Sequence, residues 1–218
     1  MTDLVVLVVS VGLVDSLNPG TIVPALYLAT GPRAVRAVLG FAAGYFAVNV
    51  CGGVAALLLG HELAGHVPHP SQGRLHAGEV VVGLIAIAAA GVLWRRRHGV
   101  VTAVAGVETR VTGVAPVAGA TIAAAELPTA LPYFAVVAAL AGSEEPTVAL
   151  IGLVVLFNAI FLAPVVAIAL LRASAGPRAV DLLARARSAL LRYAGVLAAL
   201  AVLVLGVALV AIGLVGQL

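Results

Sequence analysis

Two carboxylic acids, Asp15 and Glu126, stand inside stretches that are otherwise apolar: "DSLNPGTIVPALY" at residues 15–27 and "AELPTALPYF" at residues 125–134. An ionised carboxylate at the centre of a bilayer costs roughly 2.5–3.5 kcal/mol or more. Each acid must therefore be protonated, solvated or partnered. No basic residue lies at matching depth, so Glu126 is expected to exchange a proton during a working cycle. The rival is a permanently protonated acid hydrogen-bonded to Asn158 or Asn49. Two prolines follow each acid, Pro19 and Pro24 in the first stretch and Pro128 and Pro132 in the second. Proline removes a backbone donor and clashes with the preceding turn. The carbonyls and amides it frees cannot face lipid unpaired, so they must face protein, a wet cavity or a ligand. Asn18 and Gly20 suit an irregular turn, and Thr21 and Thr129 offer hydroxyls. A half-helix that starts after such a break points its positive dipole end inward, towards an anionic group. Tyr27 and Tyr133 follow the two proline pairs and are placed to close a cavity on its two sides, although Tyr27 reads better as an interface aromatic. The expected substrate- or ion-binding set is Asp15, Asn18, Pro19, Gly20, Thr21, Asn49, Glu126, Pro128, Thr129, Pro132, Tyr133 and Asn158.

Other residues with chemistry to offer are fewer. "HELAGHVPHPSQGRLH" places His61, His66, His69 and His76 close together, with Glu62 and Glu79 nearby. Imidazole and carboxylate bind Zn or Ni, but this spacing matches no sharp template, and an ordinary outer loop is the competing reading. The single cysteine, Cys51, forms no intramolecular disulfide or two-thiol relay, and small-residue helix packing beside Gly52 and Gly53 is its expected role. HExxH, GxSxG with a convincing base, and a nucleotide-binding P-loop are all missing. The chain is therefore expected not to be an enzyme and to carry no cofactor.

The elements that must position these residues are membrane helices. Of 218 residues, 63% are hydrophobic and 10% charged, against about 45–50% and about 25% in soluble domains. Six apolar stretches of spanning length run Leu4–Thr30, Ala34–Gly60, Ala77–Trp94, Val111–Gly142, Thr147–Leu171 and Leu191–Leu214. All twelve basic residues are arginine, and eleven fall in the first, third and fifth loops, among them Arg33, Arg36, Arg95, Arg110, Arg172 and Arg187. Cytoplasmic loops collect positive charge, so both termini are expected on the extracytoplasmic side of the cell (inner) membrane. The net charge of +3 does not imply nucleic acid, because the arginines are split among short juxtamembrane loops without interleaved aromatics. Anionic lipid is the better partner. Arg178, Arg185 and Arg192 recur every seven residues among leucines, which suggests a separate interfacial helix before the sixth span.

The second interrupted stretch repeats the first. Setting Pro19 on Pro128, an offset of 109 residues, also sets Asn49 on Asn158 and the third span on the sixth. Repeat one is residues 1–94, a cytoplasmic loop follows at 95–110, and repeat two is 111–218, all in one transmembrane domain. Three spans per repeat invert the second half relative to the first, the plan of many secondary transporters. The expected fold is all-α and polytopic: six helices as two inverted three-helix repeats, with helices one and four broken at their Pro/Asn motifs.

"DSLNPGTIVPALYL" and "AELPTALPYFAVVAAL" resemble the paired signatures of the GAP, or Sap, family, the peptidoglycolipid- and sulfolipid-addressing proteins of actinobacteria, placed in the LysE transporter superfamily. The similarity extends over nearly the whole chain. It implies export or surface delivery of a lipid, glycolipid or lipid-linked envelope component, with membrane lipids, a second copy of the chain or a lipid-export complex as partners. Two alternatives stay open: an exporter of an amino acid or divalent metal, and a non-transporting scaffold for a lipid-export complex. The lone Cys51 excludes the paired-cysteine electron transfer of the superfamily's cytochrome-biogenesis branch.

Overall fold

A computed structural model describes residues 1–31, 33–64, 72–95 and 114–215. Among them the regular structure is helical: α1 (Thr2–Asp15), α2 (Pro19–Leu28), α3 (Ala34–Ala64), α4 (Gln72–Arg95), α5 (Ala115–Glu126), a 3₁₀ turn (Leu127–Thr129), α6 (Leu131–Ala141), α7 (Thr147–Ala175) and α8 (Pro177–Val215). Among the described residues two helical segments, Ala34–Gly60 and Thr147–Ala175, are long and apolar enough to cross a membrane singly. The pairs α1–α2 and α5–α6 are bent by 58° and 72° at their breaks, and counting each pair as one span brings the number to four. The third and sixth apolar stretches fall within α4 and α8.

Both breaks follow from local chemistry. Asn18 caps α2, its Oδ1 accepting from the Gly20 amide at 2.8 Å, and Pro19 occupies the first turn, where a missing N–H is harmless. In the second pair Pro128 opens the 3₁₀ turn, Ala130 leaves helical geometry at φ −75°, ψ 61°, and Pro132 lies in the first turn of α6. Pro24 and Pro164, by contrast, are carried inside α2 and α7.

The chain divides into two compact units, one of residues 1–67 and 107–187, the other of 68–106 and 188–218. In the first, α3 packs along α5 and α7 and reaches α6, while α1 packs on α7 and α6. The α3–α5 crossing is backbone to backbone, because a Cβ on Gly44 would strike the Pro116 carbonyl and one on Gly119 the Phe41 carbonyl. Small residues are what allow such close approach, and close packing drives helix association in lipid. Val23, Val38, Phe41, Leu140, Phe157 and Val165 fill the core. At one end of this unit the Arg172 Nε donates to the Ala29 carbonyl at 3.1 Å. That bond satisfies a terminal carbonyl of α2 with a cation, the charge its dipole favours. In the second unit α4 and α8 make a similar crossing, where a Cβ on Gly83 would lie 2.7 Å from the Gly206 carbonyl oxygen.

Two expectations are corrected. The arginine-spaced stretch is not a separate interfacial helix but the opening of the 39-residue α8; after Pro177 it meets neither glycine nor proline before Gly195, and Ala, Leu and Arg are strong helix formers. Cys51 is exposed and does not join the packed face. Its neighbours do, Gly52 against Leu127 and Gly53 against Tyr133 and Val154.

Candidate functional site

Both breaks open onto one cavity of about 270 Å³ within the first unit. Its wall takes Asp15 and Asn18 from the first break and Glu126, Thr129, Ala130, Pro132 and Tyr133 from the second. The long helices add Tyr45 and Asn49 from α3 and Phe161 from α7. Among the described residues, no arginine, lysine or histidine lines it.

Glu126 is the best-held group. Its Oε2 accepts from the Tyr45 hydroxyl at 2.7 Å and from Asn18 Nδ2 at 3.4 Å. Its Oε1 occupies the space that a side chain on Gly20 would need. The acid of the second break therefore sits on the N-terminus of α2, where the helix dipole and free amides favour an anion. The rival pairing of Glu126 with Asn158 or Asn49 is not the one formed; Tyr45 and Asn18 are its partners, brought in by α3 and the α2 cap. Only a residue without Cβ at position 20 leaves room for this contact.

A second polar group lies beside the first. The Tyr133 hydroxyl donates to the Asn49 carbonyl at 2.8 Å and accepts from Asn158 Nδ2 at 3.1 Å, and Asn158 Nδ2 also donates to the Val154 carbonyl at 2.9 Å. Two hydrogen-bonded groups thus border the cavity, Asn158, Tyr133 and the Asn49 carbonyl in one and Tyr45, Glu126 and Asn18 in the other. Asn49 and Asn158, 6% and 0% exposed, are the two residues matched by the 109-residue offset, and both keep a buried side-chain oxygen without a protein partner. Orphaned acceptors of this kind cost about 1–3 kcal/mol.

Of the remaining expected residues, Thr21 is fully buried and its hydroxyl donates to the Asn18 carbonyl, so it holds the turn. Pro19 and Gly20 shape the α2 terminus beside the cavity, and Pro128 is exposed and shapes the 3₁₀ turn. Tyr27 does not close the cavity: its ring lies under the Arg187 guanidinium, 5.4 Å from the centroid. His66 and His69 lie outside the described residues, as do the side chains of His61 and His76. Among the described residues no group of three His, Cys, Asp or Glu is arranged to hold a metal ion. Tyr45 and Phe161 went unnoticed in the sequence, although the spacing that reveals them is there. Tyr45 is four residues before Asn49 and Phe161 three after Asn158, each on the same helix face as its asparagine, and the two rings stack at 5.5 Å.

The arrangement can hold a proton or a small cation among oxygens, and it can bind polar groups of a solute that enters between the two breaks. No curated protein and no solved structure matches the chain. A protein-family model described as Sap, sulfolipid-1-addressing protein, matches residues 8–215, which takes in both breaks and every residue of the cavity. The chain is a member of the Sap family.

Proposed function

We propose that this chain is a six-span inner-membrane transporter of the LysE superfamily type, with both termini extracytoplasmic, that exports or delivers to the cell surface a sulfolipid, glycolipid or related envelope lipid. The observation that carries the reading is the shared cavity of the two broken helices, in which Glu126 of the second break sits on the α2 N-terminus of the first. Sulfolipid addressing is the role named for the matching family, and the apolar helices supply the membrane setting.

The inverted-repeat plan has support in the packing. Exchanging α1, α2 and α3 with α5, α6 and α7 turns the α3–α5 contact into α7–α1, the α3–α6 contact into α7–α2, and the α2–α3 contact into α6–α7. All of these contacts occur, whereas the α1–α6 contact would become α5–α2, which is not among the main packing contacts. The Arg172–Ala29 and Arg187–Tyr27 contacts bring the first and fifth loops to one end, as expected if the arginine-rich loops share a side. In such a plan the substrate and coupling-ion sites lie where the broken helices meet. At about 270 Å³ the cavity falls just below the roughly 300–1,000 Å³ of ordinary ligand pockets. It suits a headgroup portion or an ion, with acyl chains left in the bilayer. The same size favours the second reading, export of a small solute.

Coupling would run through Glu126. Protonation removes the charge that the α2 terminus, Tyr45 and Asn18 hold, and frees the terminus for another anionic group. Two experiments test the role. A strain lacking the protein should accumulate one envelope lipid inside the cell and lose it from the surface; a change confined to metal or amino-acid tolerance would refute the lipid cargo. Purified protein in liposomes should move that lipid unaided, and absence of flux together with a copurifying exporter would favour a scaffold.

A further inference from the structure

Asp15 and Glu126 are each the last residue of a half-helix, α1 and α5. Helix C-termini carry roughly half a negative charge, so two negative dipole ends and two carboxyl groups converge on one cavity that no basic side chain among the described residues lines. Glu126 is compensated by Tyr45, Asn18 and the α2 amides. Asp15 is not: among the described residues none donates a hydrogen bond to its carboxylate. In the same wall stands Asn49, 6% exposed, with an Oδ1 that no donor reaches. An uncompensated carboxylate and an orphaned amide oxygen require the same thing, a positively charged neighbour or a donor.

We infer that the Asp15 carboxylate and Asn49 Oδ1 hold a small hard monovalent cation, for which Na⁺ is the probe. One unpaired carboxylate matches one positive charge. Calcium takes six to eight oxygens and magnesium a near-ideal octahedron, and no triad of metal-binding side chains is present among the described residues. The Thr129 hydroxyl spends its hydrogen on the Glu126 carbonyl at 2.8 Å, which leaves its lone pairs for the cavity. Unwound backbone and half-helix C-termini are the setting in which transporters place coupling cations. The inference deepens the reading of this cavity as the working site, yet it is tested on purified protein without lipid cargo, so either can fail while the other stands.

The experiment uses the full chain in lipid nanodiscs, with thermal unfolding followed as sodium chloride replaces N-methylglucamine chloride at constant ionic strength and alkaline pH. The expected result is a midpoint that rises with the logarithm of Na⁺ concentration. The rise should be absent in Asp15→Asn, shifted to higher Na⁺ in Asn49→Ala and unchanged in Cys51→Ser. An identical wild-type midpoint in the two salts, a midpoint that responds to pH alone, or a Na⁺ response that survives in Asp15→Asn overturns the assignment. Should Asp15→Asn fail to fold, binding of radiolabelled Na⁺ to the wild-type protein decides: saturable binding displaced by unlabelled Na⁺ supports the site, and its absence refutes it.

Discussion

Gly20→Ala probes the seat that holds Glu126. A methyl group at position 20 would take the place of Glu126 Oε1 and stand 3.1 Å from its Cδ. The obstructing atom is the end of a flexible side chain, so the carboxyl group moves and the helix stays. Leaving its seat breaks the 2.7 Å bond from Tyr45 and the longer 3.4 Å contact from Asn18. A hydrogen bond to a charged group contributes about 1.5–3 kcal/mol, while alanine gains up to about 1 kcal/mol over glycine within a helix. The net expectation is a loss of about 1–2 kcal/mol. At about 2–4 °C per kcal/mol for a chain of this size, the midpoint should fall by about 2–8 °C. In a Glu126→Ala background the collision is gone, and Gly20→Ala should be neutral or stabilising. Thermal unfolding of the wild type, both single variants and the double variant in nanodiscs then yields a coupling of about 1–3 kcal/mol, the difference between the effects of Gly20→Ala in the two backgrounds. Penalties that add to within about 0.3–0.5 kcal/mol, as for independent sites, would refute the contact.

Four further outcomes follow from the same geometry. Glu126→Gln should make lipid delivery insensitive to pH, where the wild type changes as falling pH protonates the acid; wild-type pH coupling in the variant, measured by flux into liposomes, removes the proton role. Tyr133→Phe deprives both Asn49 and Asn158 of a partner and should cost about 1 kcal/mol in an unfolding titration, between the ~0.6 kcal/mol average for hydrogen bonds in membranes and the ~1–3 kcal/mol of an orphaned buried group. Gly44→Leu drives a side chain into the Pro116 carbonyl, a backbone atom that cannot swing aside, and should cost more than about 3 kcal/mol or prevent folding, visible as loss of monodisperse protein in size-exclusion chromatography. Cys51→Ser should stay within about 0.5 kcal/mol of wild type, and Cys51 should react with a lipid-soluble maleimide, since its side chain is exposed.

The breaks themselves were legible in the sequence, because proline and asparagine act on the backbone within a turn of where they stand. Asn18 capping α2 and Pro128 opening the 3₁₀ turn need no distant partner. The 109-residue offset likewise picked out Asn49 and Asn158 as a pair, and both are buried with an orphaned oxygen. What went unread depended on rotation about a helix axis. Cys51 and Gly52 are neighbours in the chain, but about 100° separates successive side chains, so one faces outward while the other takes Leu127. Tyr27 follows the same rule, turned away from the cavity towards Arg187.

By itself, the sequence determined the membrane setting, the helical class, the two interruptions and the family resemblance, all of which rest on composition and on interactions spanning a few residues. The tertiary structure decided the partners. Which acid receives Tyr45, which helix terminus carries Glu126 and which amide oxygens stay unpaired depend on α3, α5 and α7 meeting at glycine-lined crossings, and those are contacts between residues some eighty to one hundred and ten positions apart. Hydrogen bonds and charges act over a few ångströms in space, so only the packed fold shows that Asp15 is left without the compensation Glu126 has.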